Sequence, residues 1–335
     1  MTRAPELRAA IIGAGLMGRW HADAIRRLGG RVTLIIDPND VAREALGRRH
    51  PEAKLAHALD VDDVRRDALV AHVCTPVATH PDLITALLEA GVHVLAEKPL
   101  TERAETASPL VALAERRGVL LCPVHQFLFQ DGVRQVMRWL PELGAVRRIE
   151  FSAVSAGAVA TDGVSLDGLI AEILPHPLSL LTGIFHVPVA TTDWQVAHPT
   201  AGEFRALAAV GGAIIDVAIS AHGRPTENML RVVADGGSAR ADLFHGYAVR
   251  HGPTVSRRAK VAHPFVLSAK NLHGAALNLM RRAARRESAY PGLRSLSRAF
   301  YDAVANGRTS PIPSSQVIDV AIARDRLVEM VRSTR

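Results

Sequence analysis

The stretch HVLAEKPLT (93–101) places Lys98 directly after an apolar run and just before Pro99. The run, Val92, Val94, Leu95 and Ala96, has the character of a buried strand in a parallel sheet. Lysine occurs only at Lys54, Lys98, Lys260 and Lys270, so an ammonium group where the chain leaves a sheet, with a proline fixing the turn, is a candidate positioned charge. An X-Pro bond at such a turn can also be cis. A second pair is Glu172 and His176, four residues apart in LDGLIAEILPHPLSLLTGIF (166–185) and hence on one face if that segment is helical. The rest of the segment is almost wholly apolar, so two ionisable side chains there need partners or a cleft. Pro175 and Pro177 should kink the helix around His176 and free a backbone carbonyl. An imidazole suits a general base, and an ammonium group can stabilise charge growing on an oxygen.

A third group is Gly13-x-Gly15-x-x-Gly18, with Asp37 nineteen residues past Gly18. Gly13 permits a tight turn, Gly15 lets backbone approach a pyrophosphate on a helix N-terminus, and Gly18 allows close helix–strand packing. A carboxylate at Asp37 can accept hydrogen bonds from a ribose 2′,3′-diol and repels a 2′-phosphate, which favours NAD over NADP. Asn39, Arg19 and Arg43 lie close by and keep NADP as the second possibility.

These residues need a frame. Leu7–Ile12, Val32–Ile36, Leu69–Cys74, Val92–Ala96 and Val119–Val124 have strand character, and 16–28, 41–49, 81–90 and 104–117 have helical patterns. Such alternation with short links predicts a doubly wound parallel sheet, and ligands of such sheets bind beyond the carboxyl ends of the strands. The glycine loop, Thr75-Pro76 with His80 close behind, and Glu97-Lys98-Pro99 all fall at that edge. After Val124 the pattern changes. His125–Leu140 leads into a helix, 144–154 alternates, 166–185 is one long apolar helix, and strands follow at 191–196, 204–210, 213–220, 229–234 and 239–244. Gly211-Gly212 and Gly236-Gly237 supply hairpin turns. The expected architecture is α/β: a Rossmann domain over 1–124, then over 125–335 an α/β domain with a large, mostly antiparallel, open-faced sheet.

At 335 residues, 48% hydrophobic and 22% charged, the chain suits two globular domains. Its two cysteines, Cys74 and Cys122, make no disulfide framework, and no Cys/His spacing suggests a metal. No apolar run is expected to reach the ~18 residues of a membrane span. The N-terminus runs straight into a strand, so no signal peptide and a cytoplasmic location are expected. The net charge of +7 comes from scattered arginines and one dense cluster, RRAARRE (281–287). That cluster suits either a helix C-terminus or a gate for an anionic substrate. It lacks aromatic interleaving, which argues against nucleic acid.

Collected, these features resemble the Gfo/Idh/MocA family, the glucose-fructose oxidoreductase and inositol dehydrogenase group: GAGLMG (13–18), Thr75-Pro76 with His80, the EKP motif (97–99) and Glu172-x-x-x-His176. The resemblance implies a nicotinamide-dependent oxidoreductase acting on a sugar or cyclitol, with an open sheet that often mediates dimers or tetramers. It implies Lys98 and His176 as catalytic groups, assisted by Glu172. It also implies cofactor contacts from Gly13, Gly15, Leu16, Met17, Gly18, Asp37, Thr75, Pro76, His80, Glu97, Lys98 and Gln126. Two departures stand out: Glu172 replaces the family's usual aspartate, and Leu128 stands where a basic residue is frequent. The expected reaction moves hydride between a secondary carbinol and the nicotinamide. The rival expectations are redox-neutral use of bound NAD and a catalytically silent regulator.

Overall fold

The computed structural model describes residues 7–155, 165–253, 256–287 and 289–333. By contacts the chain divides into two compact units, 1–125 with 293–322, and 126–292 with 323–335.

The first unit is built on a six-stranded parallel sheet of order β3-β2-β1-β4-β5-β6. Its strands are β1 (Arg8–Ile12), β2 (Arg31–Ile36), β3 (Lys54–Ala56), β4 (Val70–Val73), β5 (His93–Ala96) and β6 (Leu121–Pro123). Helices α1 (Leu16–Arg27), α2 (Asp40–Gly47), α3 (Val61–Asp67), α4 (His80–Glu89) and α5 (Ala104–Arg117) connect them. Apart from exposed Arg8 and buried His72, β1 and β4 are apolar and buried, as a sheet covered on both faces requires. The strand order reverses direction between β1 and β4, where crevices for ligands form. β3 and α3 are additions to the expected pattern. β3 is a three-residue edge strand with exposed ends, too short to show a period.

The second unit carries a seven-stranded sheet, β13-β12-β11-β7-β10-β9-β8. β7 (Val146–Val154) runs parallel to β10 (Ala213–Ser220) and antiparallel to β11 (Glu227–Ala234), and every other pairing is antiparallel. β9 (Glu203–Val210) joins β10 through Gly211 and Gly212, both at positive φ (59° and 81°), the conformation that two-residue hairpins favour. β12 (Gly237–Asp242) and β13 (Tyr247–His251) complete one edge, and β8 (Gln195–Ala197) the other. Alternating burial along β10 leaves one sheet face covered and the other open. The strand expected over 191–196 starts only at Gln195, because the Thr191 and Thr192 hydroxyls donate to Pro188 O and hold a turn. α6 (Asp131–Leu143) packs on the covered face, with Gly132 so close to Tyr247 that a Cβ would lie 2.6 Å from its carbonyl carbon. α9 (Arg257–Ala284) runs beside β13, where Lys270 donates to Arg250 O (3.1 Å) and Asn278 to His245 O (3.0 Å). The outer face of α9 exposes Val261, Phe265, Leu272 and Leu279.

Three sequence expectations change here. The helix 166–185 is two elements, α7 (Leu166–Ile173) and α8 (Pro175–Phe185), because Pro175 has no N–H to continue the ladder. Leu174 between them keeps helical dihedrals (φ −49°, ψ −37°). This 20-residue stretch, with mean hydropathy 1.4, is apolar and long enough by composition to cross a membrane, contrary to expectation. In the fold more than half of its most apolar window is buried. The division at 124/125 also differs from the contacts in 293–322. α10 (Leu293–Ala305) packs against α1 in the first unit, and Ser310 donates to Leu121 O. α11 (Ser314–Ser333) follows it.

Candidate active site

At the carboxyl edge of the parallel sheet the glycine loop has the shape its spacing predicts. Gly13 has φ +95°, and a Cβ there would lie 2.6 Å from Cys74 O at the end of β4. A Cβ on Gly18 would lie 1.9 Å from Gly13 O, so α1 reaches the sheet only with glycine there. Gly15 faces open space, with nothing within 4 Å of a Cβ. α2, α3 and α7 are each capped by a side chain, Asn39, Asp60 and Ser165. α1 has neither a side-chain cap nor an acidic residue in its first turn. Uncapped N–H groups beside the space that Gly15 keeps clear fit a pyrophosphate. Leu16 is exposed and Met17 half-buried at the same helix start.

The Asp37 carboxylate accepts from Ala14 N (2.6 Å) and Asn39 N (2.8 Å), so it sits against the loop. The groups that could have served a 2′-phosphate are engaged. Arg43 donates to Asp37 O (2.6 Å) and pairs with Asp40, Arg19 donates to Gly15 O, and Asn39 caps α2.

After β4, Thr75 and Pro76 form the turn, with the Thr79 hydroxyl on Thr75 Oγ1 (2.8 Å). His80 is buried, and its ring nitrogens face Leu100 O (3.1 Å) and Thr75 O (3.0 Å). It braces the turn after β4 to the chain after the EKP motif. After β5, Glu97 is buried, Lys98 is half-buried and the Lys98–Pro99 peptide is cis. Burial raises the Glu97 pKa, but the hydrogen bond from His21, together with the charge and backbone N–H of Lys98, outweighs it and holds the carboxyl below its usual value. Burial alone pushes the His125 imidazole down to about 4, and its Nδ1 has no partner. His125 is a group that sequence reading passed over, and the only signal for it was its position directly after β6.

In the second unit Gln126 is buried and its Oε1 meets no donor, a polar atom left to be satisfied. Phe127 stacks on His176 at 4.2 Å and 17°, which fixes the plane of the imidazole. Pro175 does free a carbonyl: Ala171 O, the acceptor it cannot use, takes the Nε–H of buried Arg324 at 2.9 Å. Glu172 and His176 are both half-buried, on either side of the break. Leu128, in place of a basic residue, packs on Gly183 of α8, where a Cβ would lie 2.7 Å from its Cδ2. Part of the basic cluster is engaged within this unit. Arg282 donates to His245 O and Glu287 O, and Arg285 pairs with Asp131 (2.6 Å).

Comparison with known proteins finds similar dehydrogenases. The chain is 35% identical over 203 residues to inositol 2-dehydrogenase of Rhodococcus erythropolis, covering 58% of this chain and 57% of that one. It is 32% identical over 203 residues to UDP-N-acetylglucosamine 3-dehydrogenase of Acidithiobacillus ferrooxidans, covering 55% and 57%. The matched region thus spans less than two thirds of these curated relatives. The crystal structure of the Acidithiobacillus enzyme superposes with a TM-score of 0.74 at 18% identity, covering 98% of both chains. An Agrobacterium radiobacter oxidoreductase in complex with NAD+, L-tartaric acid and magnesium superposes with 0.72 at 16% identity, covering 98% and 97%. At such identities the likeness establishes the fold. Residues 7–125, about a third of the chain, match the family model described as "Oxidoreductase family, NAD-binding Rossmann fold", so that part of the chain is of the Gfo/Idh/MocA type.

Proposed function

We propose that this chain is an NAD-dependent oxidoreductase that moves a hydride between the nicotinamide and a secondary carbinol of a sugar, sugar derivative or cyclitol. The observation that carries the reading is the sharing of one sheet edge by the uncapped start of α1 and by Lys98, in a domain of a nicotinamide-dependent family. Bound NAD would accept or return the hydride. Asp37 would hold the adenine ribose, the α1 N–H groups the pyrophosphate, and Gln126 a polar group of the ligand. Lys98 would donate to the substrate oxygen and stabilise alkoxide charge. His176, its ring plane set by Phe127, would take the hydroxyl proton. Glu172 would orient that imidazole or bind a neighbouring hydroxyl, and its extra methylene relative to aspartate would move the carboxylate by over ~1 Å, enough to change substrate geometry.

The relatives act, by name, on inositol and on UDP-N-acetylglucosamine. The net charge of +7 supports an anionic member of this range, such as a nucleotide-linked sugar. The open sheet face, with Ile214 exposed, and the apolar outer face of α9 support a homodimer or homotetramer. A cytoplasmic location suits a nicotinamide enzyme. The test is a panel of cyclitols, polyols, sugar acids and nucleotide sugars with NAD and NADP, read at the nicotinamide absorbance. The wild type should turn over at least one with NAD preferred, and Lys98→Met should lose ~10²-fold or more. Near-normal turnover by Lys98→Met would refute the assignment.

A further inference from the structure

Behind Lys98 lies a chain of buried polar groups that no step above uses. Glu97 Oε2 accepts the Lys98 N–H (3.2 Å), and Glu97 Oε1 meets His21 Nε2 at 3.0 Å. His21 Nδ1 meets His72 Nδ1 at 2.6 Å, with the rings edge to face at 86°. His72 Nε2 meets the Tyr301 hydroxyl at 2.5 Å. His21 and His72 are fully buried, and Glu97 and Tyr301 nearly so. Lys98 and Cys74 are the other titratable groups acting on this cluster, with Cys74 influenced by Glu97 and influencing Tyr301. The Cys74 thiol is pushed up by burial and then by Glu97, so it stays neutral.

The direction of every bond follows from one end. The Tyr301 hydroxyl is buried and makes no other hydrogen bond among the described residues, so its O–H is satisfied only by donating to His72 Nε2. His72 is therefore neutral, in keeping with the burial that pushes its imidazole well down. With Nε2 accepting, its single proton sits on Nδ1. Two facing ring nitrogens cannot both donate or both accept, so His21 Nδ1 accepts. The proton of a neutral His21 then sits on Nε2 and is given to Glu97.

We propose that His21, His72 and Tyr301 are positioning residues: a one-way hydrogen-bond chain, Tyr301 to His72 to His21 to Glu97, that keeps Glu97 an acceptor on both oxygens and so anchors Lys98. The tautomer assignment stands on geometry alone, and its effect on turnover rests on the reading of Lys98 above. Tyr301 belongs to α10, in the segment that returns to the first unit, so the C-terminal part of the chain would complete the support of an N-terminal motif.

The experiment is nitrogen NMR of the full-length protein labelled at histidine, with turnover measured in parallel. At neutral pH His72 should show the Nδ1–H tautomer and His21 the Nε2–H tautomer. Tyr301→Phe should free His72 to take Nε2–H, lower kcat about tenfold with KM for NAD unchanged, and move the acid limb of the kcat profile up by about one pH unit. An Nε2–H tautomer at His72, or a cationic His21, in the wild type would overturn the proposal, whether or not the variant folds. The predicted tautomers together with normal turnover by Lys98→Met would refute the dehydrogenase assignment and leave the chain of tautomers standing.

Discussion

His125 makes the acid stability of the first unit calculable. Its imidazole is buried, its Nδ1 has no partner, and its pKa is pushed down to about 4 by burial alone. In the unfolded chain the same ring titrates near ~6.5. The folded state therefore binds fewer protons than the unfolded state as pH falls through this window. Stability is full above ~6.5 and is lost down to about 4. Linkage gives a loss of about 2 kcal/mol at pH 5 and about 3 kcal/mol at pH 4 from this one group. Replacing it by a non-titrating side chain of similar bulk, His125→Leu, removes the linkage and leaves no hydrogen-bond partner unpaired at Nδ1. Urea unfolding of both proteins at pH 7 and pH 5 is the assay. His72 is also pushed well down by burial, but it is present in both proteins and cancels in the difference. The wild type should lose about 2 kcal/mol more than His125→Leu between the two pH values. Parallel losses would show that the ring is solvated or paired, and the reasoning would fail.

Three further outcomes follow from the geometry. Arg324→Met leaves the Ala171 carbonyl without its donor at the proline break, and should cost ~1–3 kcal/mol by urea midpoint at constant slope. Asp37→Ser removes the carboxylate that the Ala14 and Asn39 N–H groups hold at the loop. It should weaken NAD at least ~10-fold in a fluorescence titration while weakening NADP less, and equal losses for both would contradict the ribose assignment. Gly18→Ala puts a methyl 1.9 Å from Gly13 O, so α1 must move away from the sheet. NAD binding should vanish, and stability should fall by about 3 kcal/mol in calorimetry.

The parts of this protein with a strong local signal were legible in its sequence. Glycine spacing, the apolar strands and the Glu97-Lys98-Pro99 turn are local features, and α5 and β10 fall on their expected residues. β3 and β13 were not legible, because short edge strands carry mixed polarity and derive their order from neighbours. Helix α10 has a clear amphipathic pattern, yet a pattern does not say which surface covers it, so its return to the first unit was not visible. The chain from Glu97 to Tyr301 joins residues up to 229 positions apart and exists only after folding. His80 was expected at the cofactor edge, and its ring nitrogens face the backbone of two turns there, a bracing that composition cannot signal.

The proposed function assigns Lys98 and His176 to one reacting oxygen. A crystal structure of the protein with NADH and a bound substrate or unreactive analogue tests it most directly. The account predicts Lys98 Nζ and a ring nitrogen of His176 both within ~3.2 Å of a single carbinol or carbonyl oxygen, beside the nicotinamide. A complex in which either group lies outside hydrogen-bond reach of that oxygen, with no water joining them, would contradict it.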